Sequence, residues 1–263
     1  MPTFTHDGAE LHFEVRGAGV PLLFLHGLGS SADDWAHQME SFAARYRVIA
    51  LDARSSGRSR DLVHPHGPFT VRQFAADAVA LLGELKAAPA HVVGLSMGGA
   101  IAFQVAATAP QVLRTMTICN SGPSFIVRGF GARLAILTRR IVAATLGPRG
   151  MARMLAPKLF PRPEHAALRA QFIERWTRND PRAYAASQRA VLGWSVLDRL
   201  PTMRVPTLVI GSEFDYPFLL GKERWVRLMP NAEHVEVKGA HHALPMESPA
   251  EFERVLGEFL ARN

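Results

Sequence analysis

Gly94-Leu95-Ser96-Met97-Gly98-Gly99 follows a short apolar run, His91-Val92-Val93, and opens an Ala-rich helical run from Ala100 to Ala109. The stretch is a G-x-S-x-G sequence in a strand–turn–helix context. A serine on so sharp a turn takes strained backbone angles, and small glycines on either side let the chain pass without clashes. The turn lifts the hydroxyl clear of a sheet. It also sets the serine at a helix N-terminus, where free N–H groups and the helix dipole favour negative charge. Ser96 is therefore a candidate nucleophile.

Working outward, the flanking sequence alternates between strand and helix. Thr3–His6 and Ala9–Arg16 flank Asp7-Gly8, a hairpin signal. Pro21–His26 is a continuous apolar run, the signature of a strand covered on both faces. A helical stretch around Asp34–Ala44, a strand at Tyr46–Asp52, helix Val71–Lys86 and strand Leu113–Cys119 complete this half. Strand signals resume at Pro206–Ile210 and His234–Lys238, each followed by a helical run, Leu219–Met229 and Pro249–Arg262. Strands alternating with helices imply an α/β fold: a mostly parallel, doubly wound sheet of about eight strands with the hairpin as its antiparallel N-terminal edge.

The interval Gly122–Arg204 breaks the alternation. Its pattern predicts helices near Arg128–Leu146, Pro148–Leu155, Pro163–Arg178 and Pro181–Leu197, with prolines 148, 163 and 181 suited to first turns. The expected organisation is a core of 1–122 and 205–263 with a helical cap, 123–204, at the carboxyl edge of the sheet where ligands of such folds bind.

A serine hydroxyl needs a base, and the base needs an orienting group. Asp215 lies just past the strand signal Pro206–Ile210, and His242 just past His234–Lys238. The chain order Ser, Asp, His suits a sheet of this kind. Glu213 rivals Asp215 as the acid, and His241 rivals His242 as the base.

Taken together, these motifs resemble the α/β-hydrolase family across nearly the whole chain outside the cap. His26-Gly27 after an apolar strand is similar to the family's oxyanion loop. Asp52-Ala53-Arg54-Ser55-Ser56-Gly57-Arg58-Ser59 is similar to its D-x-R-G-x-G-x-S loop, with Ser55 in place of a usual Gly. Gly94–Gly98 resembles the nucleophile elbow, Val205–Gly211 with Asp215 the acid loop, and His242–Pro249 the histidine loop with its downstream E-x-P. The resemblance implies that Ser96 attacks, His242 acts as base and then acid, and Asp215 orients His242. It assigns the oxyanion hole to the backbone N–H groups of Leu28 and Met97. Spacing to Glu247 and Pro249 favours His242 over His241. No carboxylate stands at Asn120-Ser121, where some members carry the acid. Candidate pocket residues are His26, Gly27, Trp35, Phe125, Phe130, Trp176 and Trp194. His26 also reads as a brace of its loop, and each aromatic as ordinary core.

Composition narrows the classes. The chain has 263 residues, 48% of them hydrophobic, enough for one large core. One cysteine, Cys119, excludes a disulfide framework and reads as a buried strand end. The first residues lack a signal-peptide pattern and no apolar run approaches a membrane span, so a cytoplasmic protein without stable membrane insertion is expected. The net charge of +7 is concentrated in 123–205, which holds 15 Lys/Arg against 4 Asp/Glu. That segment suits either a solvated arginine-rich face or steering of an anionic substrate. Nucleic-acid, dinucleotide and phosphate-loop motifs are missing, and His64 and His66 have no partner cluster for a metal, so no cofactor is expected. Serine at the elbow points to acyl transfer, since relatives that open epoxides or carbon–halogen bonds carry aspartate there. The leading expectation is a carboxylic ester hydrolase acting through an acyl-enzyme on a small or medium ester. Alternatives are an enol-lactone or carbon–carbon (ring-cleavage diketone) hydrolase, whose substrates are anionic, and a receptor on the same scaffold.

Overall fold

Alternating burial builds the centre of the molecule. In a strand, neighbouring side chains point to opposite faces, so a strand covered on both sides is apolar throughout. The computed structural model shows this directly; it describes residues 2–127, 129–219 and 221–263, apart from the side chains of Phe130, Ala132, Ala135, Arg139, Arg140, Ala143, Ala144 and Phe218. Leu23, Leu25, Ile49, Leu51, Val92, Met116 and Val209 pack on one face of the sheet. Leu22, Phe24, Val48, Ala50, Val93, Leu208 and Ile210 pack on the other.

The first half of the chain runs β1 (Thr3–His6), β2 (Ala9–Arg16), β3 (Val20–Leu25), α1 (Ala36–Phe42), β4 (Tyr46–Leu51), β5 (Arg60–Asp61), α2 (Val71–Glu84), β6 (Ala90–Leu95), α3 (Met97–Thr108) and β7 (Leu113–Cys119). Helices α4 (Phe130–Leu159), α5 (Ala166–Thr177) and α6 (Pro181–Val191) follow. The chain then returns through β8 (Thr207–Phe214), α7 (Glu223–Val226), β9 (Ala232–His241), α8 (Leu244–Glu247) and α9 (Pro249–Ala261). The sheet order is β1-β2-β4-β3-β6-β7-β8-β9, with β5 paired to β2. Strands β3, β4 and β6 to β9 are parallel, and β1, β2 and β5 pair antiparallel at one edge. This is the expected α/β sheet, enlarged by the two-residue β5.

Several boundaries moved for identifiable reasons. The helices expected at Arg128–Leu146 and Pro148–Leu155 do part at Gly147, whose φ of 62° interrupts the helical geometry, but the second runs on to Leu159. The helix expected to reach Leu197 stops at Val191, and Gly193 turns the chain at φ 84°. The helix expected over Leu219–Met229 shrinks to α7, because Gly221 adopts φ 71° just before it. Strands β8 and β9 extend beyond their apolar stretches to Phe214 and His241, carrying Asp215 and His242 to neighbouring strand ends.

Helices α4 to α6 share a small core of Met151, Leu155, Phe160, Phe172, Trp176 and Tyr184, against which Ala243 of the histidine loop packs. At their base, Phe125 N–H donates to Trp194 O at 2.8 Å and Val196 N–H to Pro123 O at 2.8 Å, so the incoming and outgoing strands of the segment form a paired neck. Among the described residues no helix is long and apolar enough to cross a membrane.

Candidate active site

The turn at Ser96 is as tight as its glycines suggested. Ser96 has φ 55° and ψ −112°, a region costly for a residue with a Cβ. A Cβ on Gly94 would lie 2.2 Å from Gly98 O, and one on Gly98 would lie 2.0 Å from Leu25 O. A Cβ on Gly99 would lie 2.5 Å from Ser121 Cβ. Helix α3 thus packs onto the ends of β3 and β7 with no room for side chains. The strained turn is held from outside: Ser96 N–H donates to Cys119 O at 3.0 Å, and the Ser121 hydroxyl donates to Ser96 O at 2.6 Å.

Met97 is the first residue of α3, and Leu28 follows the β3 strand. Neither backbone N–H has a hydrogen-bond partner among the described residues. Both residues, with Gly27, Ser96 and His242, line one cavity of about 720 Å³.

At the ends of β8 and β9, His242 Nδ1 lies 2.6 Å from Asp215 Oδ1, the ring donating to the carboxylate. Tyr216 N–H donates to the same oxygen at 2.8 Å. Burial pushes the Asp215 carboxyl upward, but His242 and Lys222 beside it outweigh that, holding it below the ordinary carboxylate value. The Tyr216 ring lies against the His242 ring at 4.3 Å between centroids. No hydrogen bond joins Ser96 Oγ to His242 among the described residues, although both face the cavity. Such contacts are often long until substrate binds.

The rival residues have other partners. Glu213 accepts Gly239 N–H at 2.8 Å and lies near Lys238. His241 turns to Glu247, which accepts its backbone N–H at 2.7 Å and contacts its ring Nδ1 at 2.8 Å.

Of the expected pocket residues, Gly27, Phe125 and Trp176 line the cavity. Three do not. His26 is spent within its loop: its Nε2 accepts Ala53 N–H at 2.9 Å, and its Nδ1 donates to Gly27 O at 2.7 Å. Trp35 is fully buried in the core, stacked on Phe24 at 4.6 Å, and does not line the cavity. The Trp194 indole N–H donates to Gln104 Oε1 at 2.8 Å, fixing the neck rather than the cavity wall. The side chain of Phe130 lies outside the described residues. The remaining wall is largely apolar, including Leu28, Met154, Leu155, Leu159, Phe172, Val191 and Met246, with Asp34 and Lys158 as charged members. Asp34 is tied to Arg175 of α5 at 3.1 Å, and burial pushes its carboxyl above the ordinary value.

Three structural roles had no clear sequence signal. Asn120, at φ 45°, donates from its amide to Ser212 Oγ, His241 O and His242 O, and accepts Ser212 N–H. It stitches β7 to β8 and to the histidine loop. Glu247 holds His241 away. Lys222 reaches Asp215 from across the Gly221 turn. Cys119 is a free, buried thiol, and burial pushes it upward, away from the thiolate form. His64 and His66 form no metal cluster among the described residues, and His66 instead lies 3.5 Å from Asp180.

A sequence model described as "Alpha/beta hydrolase family" matches residues 22–255. The protein named "Putative carbamate hydrolase RutD" from Azorhizobium caulinodans is 31% identical over 266 residues, covering 97% of this chain and 97% of that one. Among solved structures, the enol-lactonase from Burkholderia xenovorans LB400 superposes with a TM-score of 0.89 at 25% identity, over 99% of this chain and 100% of that one. A thermophilic esterase from Thermogutta terrifontis, solved with malate bound, superposes with a TM-score of 0.84 at 27% identity, over 99% and 96%. With a match over most of its length, the chain belongs to the alpha/beta hydrolase family.

Proposed function

We propose that the protein is a serine hydrolase that cleaves a carboxylic ester with an apolar acyl or alcohol part, in the cytoplasm, through an acyl-enzyme. The observation that carries this reading is the Asp215–His242 hydrogen bond at the rim of the cavity that Ser96 enters, beside two unpaired backbone N–H groups. Ser96 Oγ attacks the carbonyl carbon while His242 takes its proton. The carbonyl oxygen becomes an oxyanion against the Leu28 and Met97 N–H groups, each such donor contributing about 3 kcal/mol to the transition state. Imidazolium then gives the proton to the departing alkoxide, and the alcohol leaves. Water repeats the attack, with His242 as base, and frees the acid and Ser96. Asp215 holds the imidazole with Nε2 toward the serine and stabilises its charged form.

The helices of 123–204 act as a cap over the core of 1–122 and 205–263, supplying Phe125, Trp176 and the other apolar walls. The cavity falls in the size range of roughly 300–1,000 Å³ typical of drug-sized ligands. Carbamic acid is far smaller and wholly polar, so a simple carbamate, as in the names of the relatives, leaves most of this wall without a contact. An enol-lactone is the second reading. It is supported by the superposition on the Burkholderia enzyme, and by Lys158 at the cavity wall, a cation suited to a substrate carboxylate.

The test is a series of p-nitrophenyl esters of increasing acyl length. kcat/KM is expected to rise from acetate to a medium chain by about tenfold for each two or so methylenes that reach the apolar wall, at about 0.8 kcal/mol per buried methylene, and then to fall once the cavity is filled. A flat profile at the buffer rate contradicts the reading. A strong preference for anionic lactones that fades with salt favours the second.

A further inference from the structure

Lysine is almost never fully buried unless it is paired, because removing an ammonium from water is costly. Lys222 is 2% exposed. Its Nζ donates to Asp215 Oδ2 at 2.9 Å and to Leu219 O at 2.7 Å. Asp215 is 6% exposed and spends its other oxygen on His242 and Tyr216 N–H. The carboxylate that faces the base is thus shared between an imidazole and a buried ammonium. Lys222 does not line the cavity, so it reaches substrate only through Asp215 and His242.

We propose that Lys222 is a positioning residue that clamps Asp215 and shares its negative charge, so that the carboxylate facing His242 is held in one plane and partly neutralised. This rests on the reading of His242 as the base. A lone buried carboxylate stabilises an adjacent imidazolium strongly. A carboxylate already neutralised by an ammonium does so less, since the imidazolium meets a near-neutral pair. Removing the ammonium is expected to leave the full carboxylate charge to the imidazole and so to favour its charged form. Lys222 exchanges no proton itself. It also fixes the plane of the carboxylate by holding the oxygen that His242 does not use.

Other charged or titratable groups near this pair do not supply the same effect. Cys119 at the end of β7 is held neutral by burial. His234 of β9 is pushed toward its neutral form by burial, with Lys222 adding to the push. Asp34 and Lys158 stand on the cavity wall, and Asp34 is paired to Arg175. Tyr216 contributes its ring and backbone N–H. His241 is engaged by Glu247, and Glu213 by Gly239 and Lys238.

The experiment is the pH profile of kcat/KM for Lys222→Gln and Lys222→Arg with the best p-nitrophenyl ester. In K222Q the amide can replace the hydrogen bond but not the charge. Its acid limb is expected to move up by about one pH unit, so that activity below the limb falls about tenfold relative to wild type, with little change in KM. K222R keeps the charge and is expected to keep the wild-type limb. A folded K222Q with an unmoved limb overturns the proposal, as does an equal shift in K222R. If K222Q melts near the assay temperature it is profiled in sucrose, which strengthens burial without altering charge. If the wild-type protein shows no hydrolysis to profile, the proposed reaction fails before the role of Lys222 is reached.

Discussion

Replacing Ser96 by alanine is expected to lower kcat/KM toward the preferred ester by about 10⁴- to 10⁶-fold, while Tm stays within about 2 °C of wild type. In the proposed reaction the loss is large because the attacking oxygen disappears, leaving only the proposed oxyanion donors and binding to give a residual rate. The stability change is small because the Ser96 hydroxyl makes no hydrogen bond among the described residues. A glycine at the same place separates chemistry from strain. At φ 55° and ψ −112° a Cβ is unfavourable, so Ser96→Gly is expected to be as inactive as the alanine variant yet more stable by about 1 kcal/mol. Chemical or thermal unfolding of the two variants checks this. If S96G is less stable than S96A, the turn is not strained as described.

The second large effect concerns structure. Gly98→Ala puts a methyl group 2.0 Å from Leu25 O and 2.9 Å from His26 O, so backbone must move. Nothing flexible lies in the way. The expected cost is about 4 kcal/mol, a fall in Tm of about 10 °C. The displaced backbone leads directly into Gly27 and Leu28, so kcat is expected to fall with stability, by about 10²-fold through a misplaced oxyanion donor. Gly83→Ala is the control. It lies within α2 with nothing within 4 Å of the added carbon, and there the change is expected to be neutral or stabilising. If G98A behaves like G83A, the close approach of α3 to β3 is not a constraint.

These two predictions also show which features could be read from the residues. The elbow was legible because its chemistry is local: glycines 94 and 98 matter through backbone only a few residues away or on the adjoining strand. Strand β3 was legible because burial on both faces leaves an apolar run, and β6 and β7 because their mainly apolar stretches flank the elbow and its helix. The break at Gly147 was legible too, because a glycine followed by Pro148 ends one helical pattern and opens the next. The aromatics were ambiguous in principle: Trp35 and Trp176 are the same residue type and both buried, yet one stacks on Phe24 in the core and the other lines the cavity. Asn120 showed only that an acid was missing, whereas its amide holds the carbonyl of His242. Lys222 carried no signal at all. Its role depends on a turn at Gly221 that brings it back to Asp215, and periodicity says nothing about such a return.

His241 and His242 illustrate the same limit. Adjacent residues point apart, so one was bound to face elsewhere, but only the fold supplies the reason. Glu247, at 7% exposure, takes both the backbone and the ring of His241, and the neighbouring ring is left to Asp215.

The proposed reaction requires that Ser96 become covalently acylated with the help of His242. The most direct measurement is mass spectrometry of the intact and digested protein after reaction with a fluorophosphonate, an acyl-transfer mimic. One adduct per chain, on the peptide containing Ser96, formed rapidly in wild type and at least about 10³-fold more slowly in His242→Gln, is the predicted result. Labelling at another residue, or hydrolysis of esters that continues undiminished in the unlabelled Ser96→Ala protein, contradicts it.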